Sequence, residues 1–389
     1  MSEWKECKLG AIADIQTGPF GSQLHMSDYK SKGTPIITVE HLGDNKIIHD
    51  NLPLVGDDDR ERLIKYTLEE GDIVFSRVGS VDRRAFVTNK EAGWMFSGRC
   101  LRVRPNIMYV VSKYLSYYFG QENFKENIRR IAVGATMPSI NTTILNDVDV
   151  SIPSLPEQKA IAGVLSSLDD KIDLLHRQNK TLEAMAEALF RQWFVEEASD
   201  DWEKKPLTCI ADFLNGLACQ KYPPQNDIDK LPVLKIRELS TGISDSSDWV
   251  TTNINNEYII ETGDIIFAWS ASLMVKIWDG KKVVLNQHLF KVSSEKYPKW
   301  FYYMWCRYYL EEFISISTSH ATTMGHIKRN DLDNAMVLIP SGRELNKMTE
   351  IIKPIIDKII SNYKRLMVVK KLRDTLLPKL MSGEVRVEF

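Results

Sequence analysis

The sequence predicts an α+β fold built twice: two duplicated mixed α/β globules separated by two long helices that pair as an antiparallel coiled coil, with pseudo-two-fold symmetry. Three observations predict it. The same short words recur along the chain at a slowly shrinking offset. Each copy is rich in short β-forming runs broken by turn residues. After each copy comes a long stretch with heptad-spaced apolar positions.

Trp4, Leu9, Ile12, Ala13, Asp14 and Gly18 recur as Trp202, Leu207, Ile210, Ala211, Asp212 and Gly216, an offset of 198. PIITVEHL from Pro35 matches PVLKIREL from Pro232, and GDIVF from Gly71 matches GDIIF from Gly263. GATMPSIN from Gly134 resembles ATTMGHIK from Ala321, and LNDVDVSIPSLPE from Leu145 matches LDNAMVLIPSGRE from Leu332 at an offset of 187. A shrinking offset means loops of different length on one framework. The predicted division is a first globule at 1–153, a spacer helix at 154–197, a second globule at 198–340 and a C-terminal spacer helix at 341–389.

PIITV, DIVFSRV, CLRVRP and DVDVSIP, with PVLKI, DIIFAW, LFKVS and AMVLIP, read as strands. Lys113–Ile131 and Lys299–Ile316 read as helices with aromatic spacing. In the first spacer, Ile161, Leu165, Leu168, Ile172, Leu175, Asn179, Leu182, Ala186, Leu189 and Trp193 step by four and three. Ser154 and Glu157 resemble a capping box, with Pro156 in the first turn. The second seam runs Met348, Ile352, Ile355, Ile359, Asn362, Leu366, Val369, Arg373, Leu376, Leu380, and Pro354 is expected to kink or restart it. Antiparallel pairing brings Asn179 opposite Asn362, a register device; the alternative is that each faces solvent.

The 389 residues exceed one ordinary core. Five scattered cysteines without a C-x-x-C pair, no signal-peptide start and no membrane-length apolar run point to a reducing cytoplasm and no membrane. Net charge is −2, which by itself counts against nucleic acid. The distribution does not. Ser76–Arg104 holds seven cations (Arg77, Arg83, Arg84, Lys90, Arg99, Arg102, Arg104) against two acids. Ala271–Asn330 holds nine against four, and Glu40–Asp72 is acidic, ten against four. Either stretch alone reads first as a solvated charge run; recurrence at equivalent positions in both copies weakens that reading in favour of a shared basic face.

A search for chemistry finds no P-loop, no strand-linked G-x-G-x-x-G, no Asn/Asp-Pro-Pro-aromatic word of amino-methyltransferases and no H-x-x-x-H or H-E-x-x-H spacing. No catalytic residue and no metal site are expected in this chain. Asp57-Asp58-Asp59 reads as a solvated loop, and GPFGS from Gly18 is a weak phosphate-loop signal without a second copy. Gly-Asp in GDIVF and GDIIF is turn chemistry ahead of a buried strand, not a repeated active site. The residues beyond each of these strands differ, SRVGSVDRR against AWSASLMVK, as two reading heads would need.

The twin GDI[VI]F words, the twin Thr-Met loops, PSLPEQKAIAGVLSSLDDKIDLLHRQNKTLEAMAEALFRQWF and LRDTLLPKLMSGEVRV resemble the specificity subunits of Type I restriction-modification systems across essentially the whole chain. The resemblance implies two target-recognition domains, each reading one half of a bipartite site in double-stranded DNA. It implies helices that dock two modification (methyltransferase) subunits, with restriction subunits joining. S-adenosylmethionine, ATP and Mg chemistry would then lie in those partners. A helix of about 35 residues is roughly 50 Å, or about 15 base pairs, and would act as a ruler. On this reading the first domain's DNA-contact candidates are Arg77, Ser80, Arg83, Arg84, Arg99, Thr136 and Ser139. The second's are Trp269, Ser270, Ser272, Lys276, His288, His320, Thr322, Thr323, His326 and Lys328. The helix seam candidates are Leu168, Ile172, Leu175, Asn179 and Leu182 with Ile355, Ile359, Asn362, Leu366 and Val369. A protein-protein adaptor built from a duplicated domain is the alternative.

Overall fold

The computed structural model describes residues 4–319 and 325–387, apart from the side chain of Ser22. The chain divides into two compact units, Met1–Asp169 with Leu372–Phe389, and Asp170–Lys371. Each holds one globule together with part of each long helix.

In the first unit an antiparallel sheet has the order Ala13–Thr17, Cys100–Pro105, Ile73–Ser76, Arg84–Phe86. The second unit repeats it with Asp212–Asn215, Leu289–Ser293, Ile265–Ala268 and Met274–Ile277. Register is kept too: Ile73 faces Val103, and its counterpart Ile265 faces Val292. A second sheet in each unit shares a trio of strands, one antiparallel pair and one parallel pair. These are Leu54–Val55, Thr34–Ile37 and Met95–Phe96 in the first unit. In the second they are Trp249–Thr251, Lys230–Leu234 and Val283–Leu285. A two-stranded ribbon closes each globule, Lys5–Lys8 on Asp149–Ile152 and Glu203–Pro206 on Met336–Ile339. The duplicated α+β architecture read from the sequence is therefore present down to strand order.

The Gly-Asp words do in both copies what turn chemistry predicts. Gly71 and Gly263 adopt φ of +93° and +101°, where a side chain would be strained. The Asp72 carboxylate accepts from Glu69 N at 2.8 Å, and Asp264 accepts from Glu261 N at 3.0 Å, closing the turn. Ile73, Val74 and Phe75, like Ile265, Ile266 and Phe267, are buried strand residues. Asp72 is itself buried and takes a two-pronged bond from Arg104, both arms at 2.8 Å.

Several local expectations change. The Lys113–Ile131 stretch is two helices, Ser112–Tyr118 and Glu122–Ile131. They part at Gly120, where a Cβ would lie 2.3 Å from the Arg84 guanidinium. The second stretch is likewise Lys299–Tyr308 and Leu310–Ser319. Asp57-Asp58-Asp59 is not a loop but the first turn of the helix Asp57–Arg62, where carboxylates complement the helix dipole.

The long helices run Leu155–Arg191 and Gly342–Met381. The second runs through Pro354 as one helix; an interior proline costs about 3 kcal/mol, which burial of Ile352, Ile356 and Ile359 around it offsets. The capping box forms at the second helix rather than the first. Ser341 Oγ donates to Glu344 Oε2 at 2.6 Å, and Ser341 N reaches the same carboxylate at 3.1 Å. Glu157 is instead buried, its Oε1 4.0 Å from Arg386 Nε. In the first unit Ile161, Ala162 and Leu165 pack with Leu376, Leu380 and Met381. In the second unit Ile172 and Leu175 pack with Leu366 and Val369. There the two segments run antiparallel: further along the first helix, Asn179 meets lower numbers on the second. Its Nδ2 donates to Ile359 O at 3.3 Å, and its Oδ1 accepts from Asn362 Nδ2 at 2.8 Å. Leu168, Leu182, Ile355 and Val369 are half-buried, whereas Ile356, absent from the heptad reading, is buried beside Ile359.

Candidate nucleic-acid interface

The strand Ile73–Ser76 leaves the sheet into a loop, Arg77–Arg83, before returning as Arg84–Phe86. Backbone bonds set its course. Arg77 N donates to Arg99 O at 2.8 Å, and Gly79 N donates to Pro138 O at 2.8 Å. Ile140 N donates back to Arg77 O at 2.9 Å, so Val78 and Ser139 sit across a β-bridge. The Thr-Met loop is held in turn by Ser139, whose N and Oγ both donate to Val133 O, at 2.8 and 3.1 Å. Two loops far apart in sequence thus form one pinned edge, with Arg99 against it.

The second unit repeats these ties. Ala271 N donates to Gly325 O at 2.8 Å, and Ile327 N donates to Trp269 O at 3.0 Å. Ser270 bridges His326, and Trp269 N reaches His288 O at 3.4 Å. Arg77, Val78, Gly79, Arg99 and Ser139 therefore correspond to Trp269, Ser270, Ala271, His288 and His326. Gly79 has φ +75°, and Ala271 holds the same left-handed conformation at φ +56°, a cost of about 1–2 kcal/mol for a residue with a Cβ. Side chains at matching positions share almost nothing.

In the first unit Ser80, Arg99 and Thr136 are exposed, while Arg77, Arg83 and Ser139 are half-buried. Arg77 Nη1 donates to Gly98 O at 3.0 Å, and its guanidinium lies 5.6 Å over the Phe20 ring. Arg83 donates to the Leu42 carbonyl. Arg84 does not belong with the others: it is 5% exposed, and its Nε donates to Ser116 O at 3.1 Å. Burial pulls its pKa down, opposed by Asp44, Asp169 and Asp82, and it fastens the sheet to the helix Ser112–Tyr118.

In the second unit Ser272, Lys276, His326 and Lys328 are exposed, and Trp269 and His288 are half-buried. Ser270 is buried, its Oγ 3.2 Å from His288 Nδ1. Trp269 stacks on Phe290 at 5.7 Å, and its Nε1 donates to Asn215 Oδ1 at 3.2 Å. Lys276 Nζ donates to Leu239 O at 3.1 Å, which draws it to the Ile236–Thr241 helix rather than to the loop. His320, Thr322 and Thr323 lie outside the described residues.

The basic stretches are less open than their charge suggests. Arg84 is buried, Arg102 pairs with Asp14 at 2.5 Å, and Arg104 serves Asp72 and Glu69. In the other unit Lys291 pairs with Asp264 at 3.1 Å, Lys282 with Glu261 at 2.8 Å, and Arg307 with Glu187. Lys299, its pKa lowered by burial, donates to Gly263 O at 2.7 Å. Four of the seven cations in Ser76–Arg104, Arg83, Arg84, Arg102 and Arg104, are thus tied to the fold. Of the other three, Lys90 lies in the turn after the strand Arg84–Phe86, and Arg77 and Arg99 stand at the pinned edge.

Phe20 and Asn215 were not singled out by sequence reasoning. Phe20 is 60% exposed beneath Arg77, and within the GPFGS word it is Gly18 that the backbone approaches closely, while Gly21 faces open space. A Cβ on Gly18 would meet Ser97 O at 2.3 Å, as one on Gly216 would meet Asn286 O. The paired glycines were the available signal for close backbone approach. Among the described residues no cluster of His, Cys, Asp and Glu could hold a metal ion, and no helix is long and apolar enough to cross a membrane.

Residues 1–184 and 199–371 match the family model described as the Type I restriction modification DNA specificity domain. The chain is 32% identical over 310 residues to the Type I restriction enzyme MjaIX specificity subunit of Methanocaldococcus jannaschii, covering 72% of this chain and 70% of that one. It is 21% identical to the HindI specificity subunit of Haemophilus influenzae over 99% of this chain and 100% of that one. The crystal structure of a Type I restriction-modification S subunit from M. genitalium shares the fold, with a TM-score of 0.61 and 14% identity over 97% of this chain and 96% of that one. With two matched copies covering most of its length, the chain belongs to the Type I restriction-modification specificity-subunit family.

Proposed function

We propose that the protein is the sequence-reading component of a Type I restriction-modification complex, each globular domain binding one half of a bipartite site in double-stranded DNA. One observation carries the reading: the same pinned pair of loops occurs in both units with unrelated side chains, Arg77, Gly79 and Ser139 against Trp269, Ala271 and His326. Main-chain bonds hold both loops on one course and leave their side chains free to differ, as two sequence readers on one framework require.

In this reading the chain carries no catalytic group. Methyl transfer from S-adenosylmethionine and ATP- and Mg-dependent cleavage belong to two modification subunits and to restriction subunits in the cytoplasm. The modification subunits dock on the spacer helices at 154–197 and 341–389. Exposed apolar residues on those helices, Leu174, Met185, Ile351, Val368 and Leu372, supply contact area.

Methylation-aware sequencing of a host carrying the intact operon tests this directly. The expected result is a two-part methylated motif with an unread spacer. Replacing residues 1–153 with those of a relative should change one half of that motif and leave the other. A change in both halves, or no bipartite motif at all, would overturn the assignment.

A further inference from the structure

We infer that positions 77 and 269 are equivalent specificity-determining positions with opposite chemistry: Arg77 reads a guanine in the first half-site, whereas Trp269 reads by its ring face alone. The inference rests on the DNA-reading function proposed above and adds to it which side chain does what.

The backbone places both side chains alike. Each follows the sheet strand directly, Ser76 before Arg77 and Ala268 before Trp269. Each residue's carbonyl accepts from the same partner across the pinned loops, Ile140 N at 2.9 Å and Ile327 N at 3.0 Å. Each residue's N–H donates to matching carbonyls, Arg99 O and His288 O. The left-handed residue two positions on, Gly79 or Ala271, keeps both loops on one course even where a Cβ makes that costly. Position 77 and position 269 therefore leave the framework at the same point.

What they present differs. A guanidinium has five N–H donors in a planar fork. Arg77 commits Nη1 to Gly98 O at 3.0 Å and lays its plane near the exposed Phe20 ring. One internal bond and one ring hold the fork in a fixed orientation with donors left over. That is the arrangement a guanine O6/N7 edge requires, two parallel donors already oriented. A phosphate needs no such orientation, since a mobile lysine would serve. An indole has a single donor, and Trp269 spends it on Asn215 Oδ1 at 3.2 Å. Its ring, stacked on Phe290, is what remains to meet a base or a thymine methyl.

The test uses the full chain assembled with the modification subunits of its operon, and duplexes bearing the methylated motif. Each guanine of the first half-site is replaced in turn by 7-deazaguanine, which lacks N7. Wild-type affinity should fall about tenfold to a hundredfold at one position and little elsewhere. Arg77→Ala should lose a similar factor on the normal duplex and become indifferent to that replacement, with the second half-site read as before. Arg77→Lys, which keeps the charge, should recover less than half of the lost discrimination. Trp269→Ala should alter preference in the second half-site only. Equal weakening of Arg77→Ala on every duplex, with the salt slope reduced by about one, would make Arg77 a phosphate contact and overturn the inference. So would a first half-site of A·T pairs alone, or an unchanged Arg77→Ala protein. A wild-type complex without preference for any duplex would sink the proposed function itself, a distinct outcome.

Discussion

Changing both Asn179 and Asn362 to leucine should make the helix pair of the second unit more stable and less specific in register. Asn362 is fully buried and Asn179 is 4% exposed. Asn362 Nδ2 donates to Asn179 Oδ1 at 2.8 Å, Asn179 Nδ2 reaches Ile359 O at 3.3 Å, and Asn362 Oδ1 is buried without a hydrogen-bond partner. Replacing Asn362 alone strands the Asn179 acceptor at about 1–3 kcal/mol, which offsets the gain of about 1.5–3 kcal/mol from burying a leucine. The single variant should therefore be close to neutral. The double variant removes both stranded groups and buries two leucines. Less about 1–3 kcal/mol for the larger side chains in a packed seam, the net gain is about 1–3 kcal/mol. Because the chain has two units, a global melting curve would blend transitions. Native-state hydrogen exchange at amides of residues 352–366 reads the helix pair itself and should slow about fivefold to 150-fold. Cross-links mapped between the two helices should report one register in the parent and more than one in the double variant. Faster exchange in the double variant would refute the reasoning, because the asparagine pair would then be a net stabiliser.

The pinned loops offer a paired test. Ala271→Gly relieves a left-handed alanine and should stabilise the second unit by about 1 kcal/mol, while Gly79→Ala, whose Cβ would point into open space, should cost the first unit a similar amount through the backbone alone. Thermal unfolding monitored by unit-specific hydrogen exchange reads both, and equal signs would show that the loops do not share a conformation. For the thiols, burial pushes Cys100 up to about 12 and raises Cys306 further, whereas Cys209 is exposed. Iodoacetamide at pH 8 should label Cys209 in the native protein and reach Cys100 and Cys306 only on unfolding. Because the native Cys100 thiol stays protonated where an unfolded one ionises, its contribution to stability is intact below the ordinary thiol value near 9. It is lost as pH rises toward 12. Rapid native labelling of Cys100 at pH 8 would contradict its placement.

The framework was legible in the sequence because backbone geometry restricts residue type. Gly71 and Gly263 must tolerate positive φ, Asp72 and Asp264 must close a turn, and the residues after them must fill a core. Each demand recurs in both copies, so each appears as a repeated word. The heptads were legible for the same reason, though Ile356 escaped, since a straight helix drifts from a 3.5-residue seam and buries a neighbouring position. The interface was less legible. Arg84 and Arg77 are indistinguishable by type and lie seven residues apart, yet one is locked under a helix and the other sits at the loop edge. Only strand pairing tells them apart: Arg84 faces Phe75 in the sheet, while Arg77 has already left it. Charge counting also overstated the basic face, because the acids that neutralise Arg102 and Arg104, Asp14 and Asp72, come from other parts of the chain.

The way the loops are fastened bears on how such a protein can change what it reads. The bridges Val78–Ser139 and Ser270–His326, and the bonds from Gly79 and Ala271, are made by main-chain atoms. A side chain at 77, 78, 139, 269, 270 or 326 can therefore be exchanged without losing a main-chain bond that holds the loop. Residues whose side chains do fasten the fold, such as Arg84 on Ser116 O or Arg104 on Asp72, lie on the strands behind. The main-chain ties thus leave the loop's course independent of its side chains. Substitutions at exposed loop positions such as Ser80 and Ser272 should fall within the small effects typical of surface sites, about 0.5 kcal/mol, while altering what the loop presents. The divergence of SRVGSVDRR from AWSASLMVK behind identical Gly-Asp turns is what that independence permits.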